Sequence, residues 1–92
     1  MRRAARTDAN QSKIVDALRK VGASVHITSS LGGGFPDLVV GLNGKTTLLE
    51  VKTSTGTLTE PEQKFFDEWR GEAYIVRTVE EAYNVCGLWI EE

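Results

Sequence analysis

One dipeptide, Asn43-Gly44, constrains the fold more than any other feature, because it separates two apolar, β-rich runs. The runs are Leu38 to Leu42 and Thr46 to Val51. A type I′ turn needs positive φ at both central residues, which asparagine and glycine tolerate, so the sequence predicts a β-hairpin with a two-residue loop. Such a loop fixes the register of the strands, pairing Leu42 with Lys45 and each following residue in turn.

The same register places two acidic residues opposite each other at the open end of the hairpin. Counting outward from the turn, Asp37 faces Glu50, and Lys52 points to the same face because side chains alternate along a strand. Like charges opposed in this way destabilise a sheet, so stability does not explain them. Hard divalent cations take carboxylate oxygens, and the pattern therefore predicts a metal site at this end of the hairpin.

These residues also carry a resemblance to a known group of enzymes. Pro36-Asp37, followed after a short hairpin by Glu50-Val51-Lys52, resembles the signature of the PD-(D/E)XK nucleases. The spacing, the preceding Gly32-Gly33-Gly34 and the later Gln63 resemble the VRR-NUC branch, and the chain is also similar to the archaeal Holliday-junction resolvases. The resemblance extends from the first predicted helix to the last.

The resemblance implies a metal-dependent DNA endonuclease with a restriction-endonuclease-like core. Asp37 and Glu50 would hold Mg²⁺ or Mn²⁺ with help from the Val51 carbonyl. Lys52 would orient or help deprotonate the attacking water and offset charge on the phosphorane. A glutamine early in the second helix reaches the active site in this family, which makes Gln63 a candidate; simple exposure on the helix surface is the alternative. For small members of the family the implied substrate is branched DNA, such as a four-way junction, cut by a homodimer.

The first helix is predicted from Asp8 to about Val21, with Gly22 ending it. Its apolar stripe, continued toward the N-terminus, places Gln11 and Asp8 on the core-facing side. Asp8 is either a first-turn acid that stabilises the helix or an additional metal ligand. Members of the resembled family carry glutamate near this position, so the fourth ligand is open. The apolar stripe consists of Ile14, Val15, Leu18 and Val21.

The other elements complete the order α-β-β-β-α-β-α, an α/β (α+β) class with a mixed sheet flanked by helices. Val25 and Ile27 are predicted to point inward from the first strand, Ser24 to Thr28. The second helix is predicted to start at the capping box Thr59 to Glu62 and to end at Gly71. A strand from Ala73 to Arg77 and a helix opened by the capping box Thr78 to Glu81 follow.

Charge is unevenly distributed, although the net charge is only −2. Residues 1–20 carry a net charge of +4 and residues 60–92 carry −6. We expect Arg2, Arg3 and Arg6 to contact DNA phosphates; an ordinary basic tail is the alternative. Gly33 and Gly34 either admit a close approach of DNA or simply form a loop.

Length and composition favour one domain over residues 1–92, with 1–7 as a basic arm. The single cysteine, Cys86, excludes an intrachain disulfide and a cysteine-based zinc site. No apolar run approaches the ~20 residues that span a bilayer, and the N-terminus lacks the apolar segment of a signal peptide. We expect an intracellular protein with no membrane partner, and the resemblance is compatible with a bacterial or phage source.

Two other functions fit the same residues. One is a DNA-binding module that kept the fold but not the chemistry, and the other is a flap- or nick-directed nuclease subunit of a larger assembly. The intact Asp37, Glu50 and Lys52 favour catalysis, because binding alone gains nothing from opposed carboxylates. The apolar Leu88, Trp89 and Ile90 either close the core or meet a second copy of the chain.

Overall fold

A computed structural model describes the backbone of residues 6–88 and the side chains of residues 9–88. The elements are helix α1 (Arg6–Lys20), strands β1 (Ser24–Ile27), β2 (Leu38–Leu42) and β3 (Lys45–Val51), helix α2 (Glu60–Glu68), strand β4 (Ala73–Val76) and helix α3 (Val79–Val85). A single 3₁₀ turn, Ser29–Leu31, follows β1 in what the sequence predicts as a loop. The predicted order of helices and strands is confirmed, and the chain has an α+β fold.

The sheet has the strand order β1-β2-β3-β4, with three antiparallel strands and a parallel fourth. The predicted hairpin register is confirmed over five pairs, from Leu42 with Lys45 to Leu38 with Leu49. Asn43 and Gly44 have φ values of 52° and 80°, as a type I′ turn requires. The crossover from β3 to β4 contains α2, so the parallel pairing follows from the chain's connectivity.

The core lies between the sheet and helices α1 and α3. Helix α1 packs against α3, β1 and β3, and contributes Ile14, Val15 and Leu18, as its apolar stripe predicts. Cys86 is buried beside α3, as expected for a small apolar side chain. The rest of the core comes from the residue before β1, from the strands and from α3: Ala23, Val25, Leu38, Val40, Leu49, Val51, Val76 and Ala82.

Two residues predicted to face the core are instead exposed. Val21 is 37% exposed and Ile27 is 54% exposed. Val21 directly follows α1 and Ile27 is the last residue of β1, so the apolar pattern continues there but the covering layer does not. The predictions at these positions were wrong because periodicity gives a direction and not the extent of the neighbouring layer.

Helix α2 differs from the other two helices because it buries none of its residues. It begins at the predicted capping box, in which Thr59 and Glu62 satisfy each other's backbone N–H groups, and it ends at Glu68, short of Gly71. In α3 the box is half formed: the Thr78 hydroxyl accepts from the Glu81 N–H, but the Glu81 carboxylate accepts from the Arg77 N–H. Among the helices that the structure describes, none is long and apolar enough to cross a membrane.

Candidate active site

The hairpin ladder stops one pair before the predicted acidic pair. Its last pair is Leu38 with Leu49, and Asp37 lies just outside β2. In a continued register Val51 would exchange hydrogen bonds with Pro36, which has no N–H to donate. The Asp37 carboxylate replaces the backbone there, and its Oδ2 accepts the Val51 N–H at 2.9 Å. Asp37 and Glu50 therefore meet beyond the end of the ladder and not, as predicted, as a regular cross-strand pair.

The proline is itself held in place by β1. Pro36 is buried, and its carbonyl accepts from the Thr28 hydroxyl at 2.8 Å. The Thr28 N–H donates to the Asp37 carbonyl at 2.7 Å, which continues the β1–β2 pairing as far as Asp37. The backbone of Asp37 is thus fixed from one side while its side chain reaches β3 on the other.

Glu50 is the most unusual residue of the cluster, because it is a buried acid. It is 2% exposed, and its Oε1 has no hydrogen-bond partner among the described residues. Burial raises the pKa of Glu50 to about 8, and the neighbouring charges of Asp37 and Glu62 act in the same direction. Burial also raises the pKa of Asp37, against the opposing effect of the Val51 N–H bond. Two carboxylates in such surroundings bind a positive charge favourably.

Lys52 supplies part of that charge. Its Nζ lies 3.4 Å from Glu50 Oε2 and 2.8 Å from Glu62 Oε1, and its side chain is 15% exposed. Burial alone would lower the pKa of Lys52, but the hydrogen bond to Glu62 and the charges of Glu50 and Glu62 outweigh it and raise the pKa. Lys52 is therefore a protonated, largely enclosed ammonium group beside the carboxylates, as the hairpin register predicts.

Glu62 belongs to the cluster although sequence reasoning assigned it only to the capping box of α2. Its Oε1 accepts both from Lys52 Nζ and, at 2.9 Å, from the Thr59 N–H. Burial alone would raise the pKa of Glu62, but these two donors lower it. The capping box was the signal available in the sequence, because it fixes the direction of a carboxylate at the start of α2.

The structure does not bring Gln63 into the cluster. Its side chain is exposed, and its Nε2 donates to Asp67 Oδ1 at 2.9 Å, along the helix surface. Consecutive helical residues point about 100° apart. Because Glu62 points toward Lys52, Gln63 points toward solvent.

Asn10 of α1 is a second contributor that sequence reasoning missed. Its Nδ2 donates to the Lys52 carbonyl at 3.0 Å and to the Arg77 carbonyl at 3.2 Å. One side chain thus ties the first helix to the ends of β3 and β4. Gln11 lies beside it and accepts from the Ser29 hydroxyl at 3.3 Å. The side chain of Asp8 lies outside the described residues, so its role as a ligand stays a prediction.

The two glycines predicted to meet DNA have different environments. Gly34 has a φ of 84°, and a Cβ there would lie 2.2 Å from the Pro61 carbonyl oxygen. The close approach at Gly34 is therefore made by the protein's own helix α2. Gly33 is exposed, with open space around it, and its contact with DNA stays a prediction. Arg2 and Arg3, like the side chain of Arg6, lie outside the described part of the chain.

The oxygen atoms of this cluster fit a hard divalent cation. Asp37 and Glu50 provide carboxylate oxygens, one of them buried without a partner among the described residues. The Val51 carbonyl points toward the same strand edge as its N–H, where Pro36 cannot donate to it. Within residues 9–88, no three acidic, histidine or cysteine side chains converge as a complete metal site. A cation held here would therefore use the two carboxylates together with backbone or water oxygens.

Comparison with protein-family models, with curated proteins and with solved structures found no match. The geometry of this cluster, and the residue pattern that forms it, are therefore what bears on the function. We refer below to Asp37, Glu50, Lys52 and Glu62 as the acidic cluster.

Proposed function

We propose that this protein is a Mg²⁺- or Mn²⁺-dependent DNA endonuclease of the PD-(D/E)XK type, in its VRR-NUC branch. The observation that carries the proposal is the buried Glu50 carboxylate, which has an oxygen unpartnered among the described residues, beside Asp37 and Lys52. A buried acid without a full set of partners is unfavourable for folding. Binding of a cation explains the presence of the buried Glu50 better than a contribution to folding stability does.

The chain's own residues suit phosphodiester hydrolysis. Asp37 and Glu50 would hold the cation, and a bound divalent cation supplies a more acidic water and stabilises developing negative charge. The Lys52 ammonium, enclosed between two carboxylates, would orient the attacking water and offset the charge of the phosphorane. Products with a 5′-phosphate and a 3′-hydroxyl are expected from the resemblance.

Branched DNA, including four-way junctions, is the proposed substrate, and a homodimer is the proposed assembly. Both rest on the resemblance and on the fact that paired cuts in a two-fold junction need two sites. Leu88 is partly buried, so part of its side chain is available to a second copy of the chain. Trp89 and Ile90 lie outside the described residues.

The test is a cleavage assay with labelled linear, flap and four-way DNAs, in Mg²⁺, in Mn²⁺ and in EDTA. We expect metal-dependent cutting that Asp37→Asn and Glu50→Gln each abolish. Glu68→Gln, which changes an exposed acid at the end of α2, is the matched control and should cut like the wild type. Binding of the DNAs without any metal-dependent cutting would contradict the proposal and favour a non-catalytic DNA-binding module.

A further inference from the structure

We infer that Glu62 is a positioning residue that holds the Lys52 ammonium against Glu50, so that this one residue of α2 belongs to the candidate active site. The catalytic consequence rests on the proposed nuclease function, whereas the contact itself does not. Glu62 has no place in the residue pattern from which the site was predicted, and its role follows from its contacts alone.

One carboxylate oxygen of Glu62 accepts two hydrogen bonds. Glu62 Oε1 accepts from Lys52 Nζ at 2.8 Å and from the Thr59 N–H at 2.9 Å. The N–H bond is part of the capping box, so the helix terminus holds the carboxylate by a contact that does not involve Lys52. A long, flexible lysine side chain loses rotamer freedom when it is held in one place, and a fixed partner restricts it more than a mobile one.

The Lys52 ammonium lies closer to Glu62 than to Glu50. Lys52 Nζ lies 2.8 Å from Glu62 Oε1 but 3.4 Å from Glu50 Oε2. Glu62 is thus the direct hydrogen-bond partner, and Glu50 is the group toward which the ammonium is held. Without Glu62 the Lys52 side chain keeps only its longer pairing with Glu50 and is free to move out of position.

The Glu62–Lys52 pair also helps to hold α2 against the sheet. The helix buries none of its residues, so its apolar contacts do not fix its position in the way that α1 is fixed. Its first turn lies against Gly34, where Pro61 approaches the glycine backbone closely, and Phe65 packs edge-to-face on Phe35 at 5.4 Å. The Glu62–Lys52 pair adds a polar contact that joins this helix to the end of β3.

The test uses three variants in the first turn of α2. Glu62→Gln keeps the capping box, because glutamine serves equally at this position, but it replaces the charged partner of Lys52 by a neutral amide. Glu60→Gln removes an equivalent charge from the same turn at an exposed position, and is the matched control. Thr59→Ala removes the hydroxyl cap and leaves Glu62 in place.

Two readouts are measured for each variant. The first is kcat and KM with Mg²⁺ on whichever DNA the wild type cuts. We expect Glu62→Gln to lower kcat by about 10- to 100-fold without raising KM, as for a displaced reacting group. The second is the rate at which acetic anhydride modifies Lys52, relative to the exposed Lys64, followed by mass spectrometry. Glu62→Gln should increase that relative rate, and Glu60→Gln should leave both readouts near those of the wild type. Thr59→Ala keeps the backbone N–H that donates to Glu62, so it should change both readouts less than Glu62→Gln does.

The outcomes separate this inference from the proposed function. A wild-type kcat in Glu62→Gln, or an unchanged rate of Lys52 modification, would overturn it. If the wild type cuts none of the DNAs, the proposed function fails, and the labelling alone decides whether Glu62 holds Lys52. A reduction of kcat in Thr59→Ala equal to that in Glu62→Gln would assign the effect to helix stability and would also overturn it.

Discussion

At the scale of single residues, Glu50 shows how burial and charge conflict in this molecule. Its carboxylate is enclosed at a strand position where the neighbouring strand residues are apolar, and another acid lies beside it. Water would solvate the ionised form far better than this site does. The folded protein without a cation therefore favours protonated Glu50, while the unfolded chain ionises it at its ordinary pKa.

This difference predicts that the stability of the metal-free protein falls as the pH rises. The pKa of Glu50 is raised from 4.5 to about 8 on folding. The folded state therefore binds more protons between these values, and the contribution is fully present at low pH and lost through this interval. Each unit of pKa difference corresponds to roughly 1.4 kcal/mol. Urea unfolding in EDTA between pH 5 and 8.5 measures the slope.

Glu50→Gln should flatten that slope, because the amide does not titrate. Glu68→Gln, the exposed control, should keep it. Equal slopes in the wild type and in Glu50→Gln would mean that Glu50 is ionised in the folded protein at neutral pH.

The variant Asp37→Asn tests whether Asp37 is a metal ligand or an acid that mainly stabilises the fold. In EDTA we expect a melting temperature equal to or slightly above that of the wild type. At a pH above about 8, where Glu50 is ionised as well, the change removes a like-charge repulsion worth a few tenths of a kcal/mol up to about 1 kcal/mol. The asparagine carbonyl can still accept the Val51 N–H that Asp37 holds at 2.9 Å.

The metal dependence of stability completes this test. Added Mg²⁺ should raise the melting temperature of the wild type more than that of Asp37→Asn, because a ligand that binds the folded state stabilises it. Asp67→Asn, on the exposed surface of α2, should respond to Mg²⁺ like the wild type. A mutant that melts several degrees lower in EDTA would show that Asp37 is mainly structural.

At the scale of elements, the glycine-containing loop before Pro36 determines where α2 lies. Gly34 and the Pro61 carbonyl approach so closely that no side chain fits between them. The contact joins the segment that delivers Asp37 to the helix turn that delivers Glu62. The positions of Asp37 and Glu62 thus both depend on the absence of a side chain at Gly34.

A pair of alanine substitutions tests this dependence. Gly33 and Gly34 both have positive φ, 67° and 84°, so alanine at either position costs about 1 kcal/mol in backbone conformation. Gly34→Ala adds a clash worth about 1–3 kcal/mol, because its Cβ would meet Pro61, whereas Gly33→Ala meets open space. We expect Gly34→Ala to lose more stability and more cleavage than Gly33→Ala, as measured by thermal unfolding and the junction assay. Equal losses would mean that α2 can shift without cost.

At the scale of the whole molecule, features close to the hairpin turn could be predicted and distant contacts could not. The pairs from Leu42 to Leu38 follow from Asn43-Gly44, because a two-residue turn fixes register locally. The contributions of Asn10 and Glu62 depend on how α1 and α2 are seated against the sheet, which periodicity does not specify. Gln63 lies on a helix that buries none of its residues, so the sequence of the helix does not predict the direction of its side chain.

The uneven distribution of charge concerns the whole molecule, because positive charge is concentrated in residues 1–20. If Arg2 and Arg3 bind phosphates, replacing both by alanine should weaken DNA binding without abolishing metal-dependent cutting by bound enzyme. The slope of log Kd against log salt should decrease by nearly one unit for each phosphate that the variant no longer binds. Lys20→Ala, at the far end of α1, is the control for a general change in charge. An unchanged slope in the double variant would mean that the arm does not touch DNA.

The position of Pro36 at the end of the ladder limits which insertions and deletions this hairpin tolerates. The ladder ends before Pro36, and the carboxylates lie at that end. Their distance from the turn is therefore set by the number of residue pairs in the ladder. Lengthening both strands by two residues would move the turn about 7 Å farther away and leave the carboxylates on the same face. Lengthening both by one residue would turn them to the opposite face, away from α2 and Glu62. The hairpin can therefore change its reach between related sequences only in even steps while the site stays intact.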